Sequence, residues 1–178
     1  MGMENTAKRA ITMTDLNKIP FIPSPHQYSK EKVNHPEYII IHAMVGYYKG
    51  TISWFQNPAS NVSAHYLVSE LGEITQMVKD ERQAFHCYGL NHKSIGIETE
   101  DKKMCKKNGT WITPALWAAT VDLAAHLCKK HKIPVNKILP HSEPWIRAMK
   151  PRYAHEDPGP FFSMDKFRAD VTKKLKAS

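Results

Sequence analysis

Residues far apart in this chain have the types needed to close on one metal ion. His42 ends the apolar run Tyr38-Ile39-Ile40-Ile41, His141 follows Ile138-Leu139-Pro140, and Asp157 opens Asp157-Pro158-Gly159-Pro160. Two imidazoles and a carboxylate suit a catalytic zinc, because three protein ligands leave the fourth position for water. Glu98 ends the run Ile95-Gly96-Ile97, which puts it at a strand end beside the others. A carboxylate there can serve as the base of a hydrolytic site, and a solvated strand-end carboxylate is the plainer alternative. Spacing alone is a weak guide. The ligands form no local motif such as HExxH, and with ten histidines in the chain most must be surface or packing residues.

The elements that carry these groups follow from pattern. Pro20, Pro23, Pro25 and Pro36 exclude a helix from the first 35 residues, which read as an extended segment wrapping the domain. Glu37 to Ala43 is a short buried strand. Gly50-Thr51 opens a helix that Asn57-Pro58 stops. Val62 to Ser69 and Glu73 to Val78 read as a hairpin turning at Glu70-Leu71-Gly72, and Ser94 to Glu100 as a further strand. The clearest helix has Thr113 as N-cap and Pro114 at its first position, with Leu116, Ala119, Leu123 and Leu127 as its apolar face. Ser163 caps a last helix over 163–177, where Phe167, Val171 and Leu175 recur every four residues and the lysines are left in water. Strands and helices interleave, so the class is α/β: a single domain over residues 1–178 with one sheet and helices packed against it.

An ordered series of motifs runs along this framework: Ile39-Ile40-Ile41-His42; Trp54-Phe55-Gln56-Asn57-Pro58 with Val62-Ser63-Ala64-His65-Tyr66-Leu67-Val68; Gly72-Glu73-Ile74-Thr75-Gln76-Met77-Val78; Ala84-Phe85-His86; Asn91 with Ser94-Ile95-Gly96-Ile97-Glu98; and His141 with Asp157-Pro158-Gly159-Pro160-Phe161. In that order they resemble the zinc-dependent N-acetylmuramoyl-L-alanine amidases, a family that includes many phage endolysins and the animal peptidoglycan recognition proteins. The similarity extends from about Pro20 to Phe162. It implies a central mixed sheet flanked by helices, with a substrate groove and zinc on one face. It also implies hydrolysis of the amide between the lactyl group of N-acetylmuramic acid and L-alanine, with Zn2+ on His42, His141 and Asp157 and Glu98 moving the proton. His65, His86 and Asn91 match family motifs and are expected to contact substrate, although His65, lying mid-strand, also fits a hydrogen-bonded core group. Trp54 is more simply core. The relatives that bind muropeptides without cutting them have lost a metal ligand, whereas every ligand position is filled here.

The sequence departs from the family in two places. Many relatives carry lysine two residues before the last ligand, where a cation stabilises the oxyanion; here that residue is His155, which can do the same only while protonated. Ser142 to Glu156 is a long basic loop with Trp145, Arg147, Lys150, Arg152 and Tyr153, either one wall of the groove or a structural loop.

Composition bounds the setting. A chain of 178 residues, 42% hydrophobic, can bury one substantial core, and no apolar run nears the ~20 residues of a membrane span. Cys87, Cys105 and Cys128 are odd in number and widely spaced, which argues against a disulfide framework, and Cys128 falls in a helical apolar pattern. The stretch 1–18 lacks the apolar core of a signal peptide. Synthesis in the cytoplasm is therefore expected, with passage to the wall through a holin-type pore if the protein is an endolysin; a cytosolic recycling amidase is the alternative. A net charge of +8 without a nucleic-acid recognition motif points to an anionic cell envelope as partner, or simply to a lysine-rich surface. A monomer is expected.

Overall fold

Alternating side chains on the first strand set the architecture. In β1 (Tyr38–Ala43), Ile39, Ile41 and Ala43 enter one core, while Ile40 enters another on the opposite face of the sheet. That is the period-two geometry of a strand buried on both sides. The computed structural model describes residues 15–16, 18–101, 111–149, 151 and 156–177. Among them, five strands form one mixed sheet in the order β3-β2-β4-β1-β5. β1, β2 (Tyr66–Val68), β4 (Ser94–Thr99) and β5 (Ile138–Pro140) run parallel, and β3 (Ile74–Gln76) pairs antiparallel with β2 at the edge. The hairpin strands are shorter than the sequence pattern suggests.

One face is covered by α2 (Pro114–His131) and α4 (Met164–Lys176). The Thr113 hydroxyl accepts the Leu116 N–H at 3.1 Å, Pro114 follows, and Lys132 closes the helix in the left-handed region. Lys129, Lys130 and His131 fill the last turn, where the helix dipole favours cations. α4 is capped by Ser163 and docks through Phe167 and Val171, both fully buried. Each such burial contributes roughly 1.5–3 kcal/mol, so apolar contact holds this helix in place. Its lysines are not all in water: Lys174 pairs with Asp122 of α2 at 2.8 Å. Cys128 is a core residue.

The opposite face is covered only in part. α1 (Tyr48–Gln56) packs Tyr48 and Phe55 against Leu67, Ala64 and Met77. It begins two residues before Gly50, because Tyr48 anchors its first turn. α3 (Pro144–Met149) lies in the stretch expected as a loop. Pro144 starts that helix and does not break it, since proline suits a first helical turn, and Ile146 then joins Ile40, Leu90 and Leu139 in a small core. Beside α1 the C-terminal ends of β1 and β4 are left open. In described residues 18–35, the N-terminal segment runs along the β3 side, with bridges Phe21–Gln76, Gln27–Ala84 and Val33–Arg82.

Candidate metal centre

His42, His141 and Asp157 converge at that open end. His42 lies on β1 facing away from α2, His141 directly follows β5, and Asp157 comes from the segment before α4. The segment is tied down where it matters: Ser142 N–H donates to the Asp157 carbonyl at 2.9 Å, and Ala43 N–H to Asp157 Oδ2 at 3.2 Å. All three side chains are buried. Asp157 Oδ2 is 3.1 Å from His42 Nδ1 and Oδ1 is 3.2 Å from His141 Nδ1. The three residues offer ligand atoms all within 4.8 Å of one another.

The arrangement fits zinc. A tetrahedral ion with bonds of about 2.0–2.1 Å sets neighbouring ligand atoms about 3.3 Å apart, close to both separations here. Burial alone raises the Asp157 carboxyl. Hydrogen bonds from His141 and His42, and their charge, outweigh that and hold it well below the usual carboxylate range. The group is thus an anion whenever a cation is to be bound. Nearby Cys87 is no competing ligand, since burial pushes its thiol up to about 12, with Asp157 adding to the effect.

Glu98 stands opposite His42 in the β1–β4 register, and both line a cleft of about 730 Å³. Met44, Trp54, Val62, Phe85, His86 and Glu156 are among the other lining residues. Trp54, expected as core, is 49% exposed on the rim. Helical period could have placed it: Tyr48, Ile52 and Phe55 make the buried face of α1, while Tyr47, Gly50, Thr51 and Trp54 make the other and line the cleft.

The remaining expected residues divide. His86 lines the cleft, with its ring nitrogens 3.1 Å from His42 Nε2 and 3.2 Å from Ser94 Oγ. Burial, reinforced by the charges of His42, His65 and His141, holds it well below the ordinary imidazole value, hence neutral. Asn91 is not among the lining residues; its Oδ1 accepts the N–H groups of His86 and Cys87 at 3.2 and 2.8 Å, shaping the turn that presents His86. His65 is fully buried just before β2, so it offers no surface to a substrate. Its Nε2–H donates to the Arg82 carbonyl and its Nδ1 accepts the Gly96 N–H, at 2.9 and 3.0 Å. Burial lowers it to about 4. Trp145 lies 5.9 Å from Tyr38, at the far end of β1, and faces a separate hollow with Lys137. His155, Lys150, Arg152 and Tyr153 fall outside the described residues, as does Cys105.

Residues 32–160 match the sequence profile of the N-acetylmuramoyl-L-alanine amidase family. The chain belongs to that family. Over 101 residues it is 40% identical to N-acetylmuramoyl-L-alanine amidase A of Achromobacter lyticus, which covers 56% of this chain and 55% of that protein. The chain thus matches about half the length of this curated amidase. Its fold is shared with N-acetylmuramoyl-L-alanine amidase LysC from Clostridium intestinale URNW, at a TM-score of 0.66 and 20% identity over 87% of this chain and 97% of that one. It is also shared with a selenomethionine derivative of AmpD, at 0.64 and 23% over 88% and 96%. Among the described residues, no helix of this amidase-family chain is long and apolar enough to cross a membrane.

Proposed function

We propose that this protein is a zinc-dependent N-acetylmuramoyl-L-alanine amidase, cutting peptidoglycan between the muramic lactyl group and L-alanine. The observation that carries the reading is the buried His42, His141 and Asp157 cluster opening on a cleft that Glu98 also lines. Zinc held there supplies Lewis acidity, which lowers the pKa of water and polarises an amide carbonyl. Glu98 takes the proton of the attacking water and delivers it to the alanine nitrogen as the C–N bond breaks, so one carboxyl acts as base and then acid. The apolar rim, with Val45, Tyr47 and Trp54 exposed, receives sugar faces and the lactyl methyl. His155, two residues before Asp157, is proposed as the cation that meets the developing oxyanion.

The setting we propose is wall lysis, as an endolysin acts, rather than recycling of soluble fragments. The net charge of +8 and the exposed Lys173 and Lys176 on α4 support it, because an anionic wall attracts such a surface. Mass spectrometry of digested sacculi tests the chemistry: free stem peptides are expected with zinc and none after exhaustive chelation. Peptide release at full rate from metal-free protein would overturn the reading. Replacing Lys173 and Lys176 by glutamine tests the setting, with weaker and less salt-sensitive action on intact walls expected and unchanged cleavage of soluble muropeptides. Faster turnover on soluble fragments than on sacculi would favour recycling.

A further inference from the structure

We propose that His86 is a positioning residue for the zinc ligand His42, fixing the tautomer that turns His42 Nδ1 toward the metal. The inference rests on the zinc reading above and concerns residues outside the ligand set.

The argument is a count of protons along one chain of contacts. Ser94 has a single hydroxyl proton and donates it to the Leu90 carbonyl at 2.7 Å. At its 3.2 Å contact with His86 Nε2 the hydroxyl oxygen must therefore accept, so His86 carries its proton on Nε2. Neutral His86 then has its lone pair on Nδ1, which is 3.1 Å from His42 Nε2. His42 must donate there. If zinc takes the place of the proton that His42 Nδ1 gives to Asp157 Oδ2, 3.1 Å away, a His42 that still donates from Nε2 is neutral and offers Nδ1 as the ligand atom. The direction set at Leu90 thus passes through Ser94 and His86 to the ligand atom.

The seat of His86 is built into the sheet. A Cβ at Gly96 would lie 2.5 Å from His86 Nδ1, so the ring stands where only bare backbone leaves room. Gly96 is held in turn by the Nδ1 of buried His65, which accepts its N–H at 3.0 Å. Ligating histidines commonly give their second N–H to a carboxylate, a carbonyl or water. Here an uncharged imidazole receives it, which orients His42 without adding a second anion to the centre.

The test uses the full chain and reads metal affinity rather than turnover. Zinc binding is measured by competition with a chromophoric chelator, with the absorption spectrum of the cobalt(II) form alongside. His86→Phe keeps a ring and removes the acceptor; it should weaken zinc about 10- to 100-fold and shift the cobalt bands. His86→Gln, whose oxygen can accept from His42 and whose amide can donate to Ser94, should restore most of that loss. Gly96→Ala should resemble His86→Phe. Nitrogen-15 spectra of zinc-loaded wild-type protein should show His42 bound through Nδ1 and protonated at Nε2, a readout independent of any variant's folding. Binding through Nε2 would overturn the proposal. So would equal zinc affinity and unchanged cobalt bands in a folded His86→Phe, which would leave the zinc reading standing. A wild-type protein that binds no zinc would fail the functional reading itself.

Discussion

Two buried aspartates, each in contact with histidine, face different fates in this molecule. Asp80 is surrounded by donors: Lys130 Nζ at 2.8 Å and His131 Nε2 at 2.7 Å meet one oxygen, and Tyr66 OH at 2.6 Å and the Gln76 amide at 3.1 Å meet the other. Such a carboxylate is saturated with protons it does not own, and it pins the end of α2 to the β2–β3 hairpin. Asp157 faces the Nδ1 atoms of two imidazoles at the rim of a cleft. An imidazole nitrogen can exchange a proton for a metal, whereas an ammonium cannot. The lesson is that residue type does not make a metal centre. A candidate centre needs ligand atoms that converge on one point with an open approach, as at Asp157 and not at Asp80.

The contrast would break most completely at the ligands. Alanine at His42, His141 or Asp157 should remove zinc and all measurable turnover, while Asp80→Asn should keep both. Metal analysis of the purified variants, with peptide release from sacculi, checks this; full zinc in Asp157→Ala would place the metal elsewhere. Glu98→Gln should keep its zinc and lose ~10²–10⁴-fold in turnover, the range of general acid–base catalysis. Normal cleavage by that variant would assign the proton transfer to another group.

Smaller effects sharpen the structural side of the comparison. His65, lowered to about 4 by burial, stays neutral in the folded protein, while the unfolded chain titrates near ~6.5. Between those values the unfolded state binds the extra proton. Stability should therefore fall as pH falls from about 6.5 to about 4, by roughly 3 kcal/mol for this group. Urea unfolding across that range should show a shallower slope in His65→Gln; identical slopes would mean that His65 is not the titrating group. At Asp80, burial raises the carboxyl's pKa, but hydrogen bonds from Lys130, Tyr66 and His131 outweigh it and leave it lowered. Its contribution is present above the ordinary carboxylate value of ~3.9 and is lost as pH falls through the lower folded value. Asp80→Asn should cost ~1–3 kcal/mol at neutral pH through imperfectly met donors, and the gap from wild type should narrow only below about pH 4. A gap that closes well above that pH would show that the Asp80 carboxylate is not the group whose charge stabilises this corner.

The first four strands, the capped helices and the class of fold were legible because each rests on local pattern, whereas the three-residue β5 was not read as a strand. Ile39-Ile40-Ile41 reads as a buried strand, and Thr113-Pro114 as a helix start, in any context. The candidate ligand set was legible only through resemblance. His42, His141 and Asp157 meet because β1 pairs with β5 and the 157 segment folds back on both, and parallel pairing leaves no short-range mark in sequence. The contact of His86 with His42 was not legible, because it depends on the bare backbone of Gly96, on the strand beside β1, leaving room for the ring. His65 was half legible: a polar residue amid apolar ones fits either a site or a satisfied core group, and only burial decides. The short helix at Pro144–Met149 was not legible, since six residues are too few to show a helical period.

The margin of the sheet carries one more implication. Beyond β3, the Gln76 carbonyl accepts the Ile22 N–H at 2.9 Å, the Gln76 N–H reaches the Pro20 carbonyl at 2.9 Å, and the Ser24 N–H reaches the Met77 carbonyl at 2.9 Å. The outermost backbone on this side is therefore a segment with proline at 20, 23 and 25, three positions that have no N–H to offer. A chain arriving from outside would find little to pair with, which is how natural sheets discourage edge-to-edge aggregation. At the other margin the Ile138 carbonyl of β5 is taken by the Arg168 guanidinium at 2.9 Å. The N-terminal strap thus acts as a hem, covering backbone groups of β3 that would otherwise stand unpaired at the outer edge of the sheet.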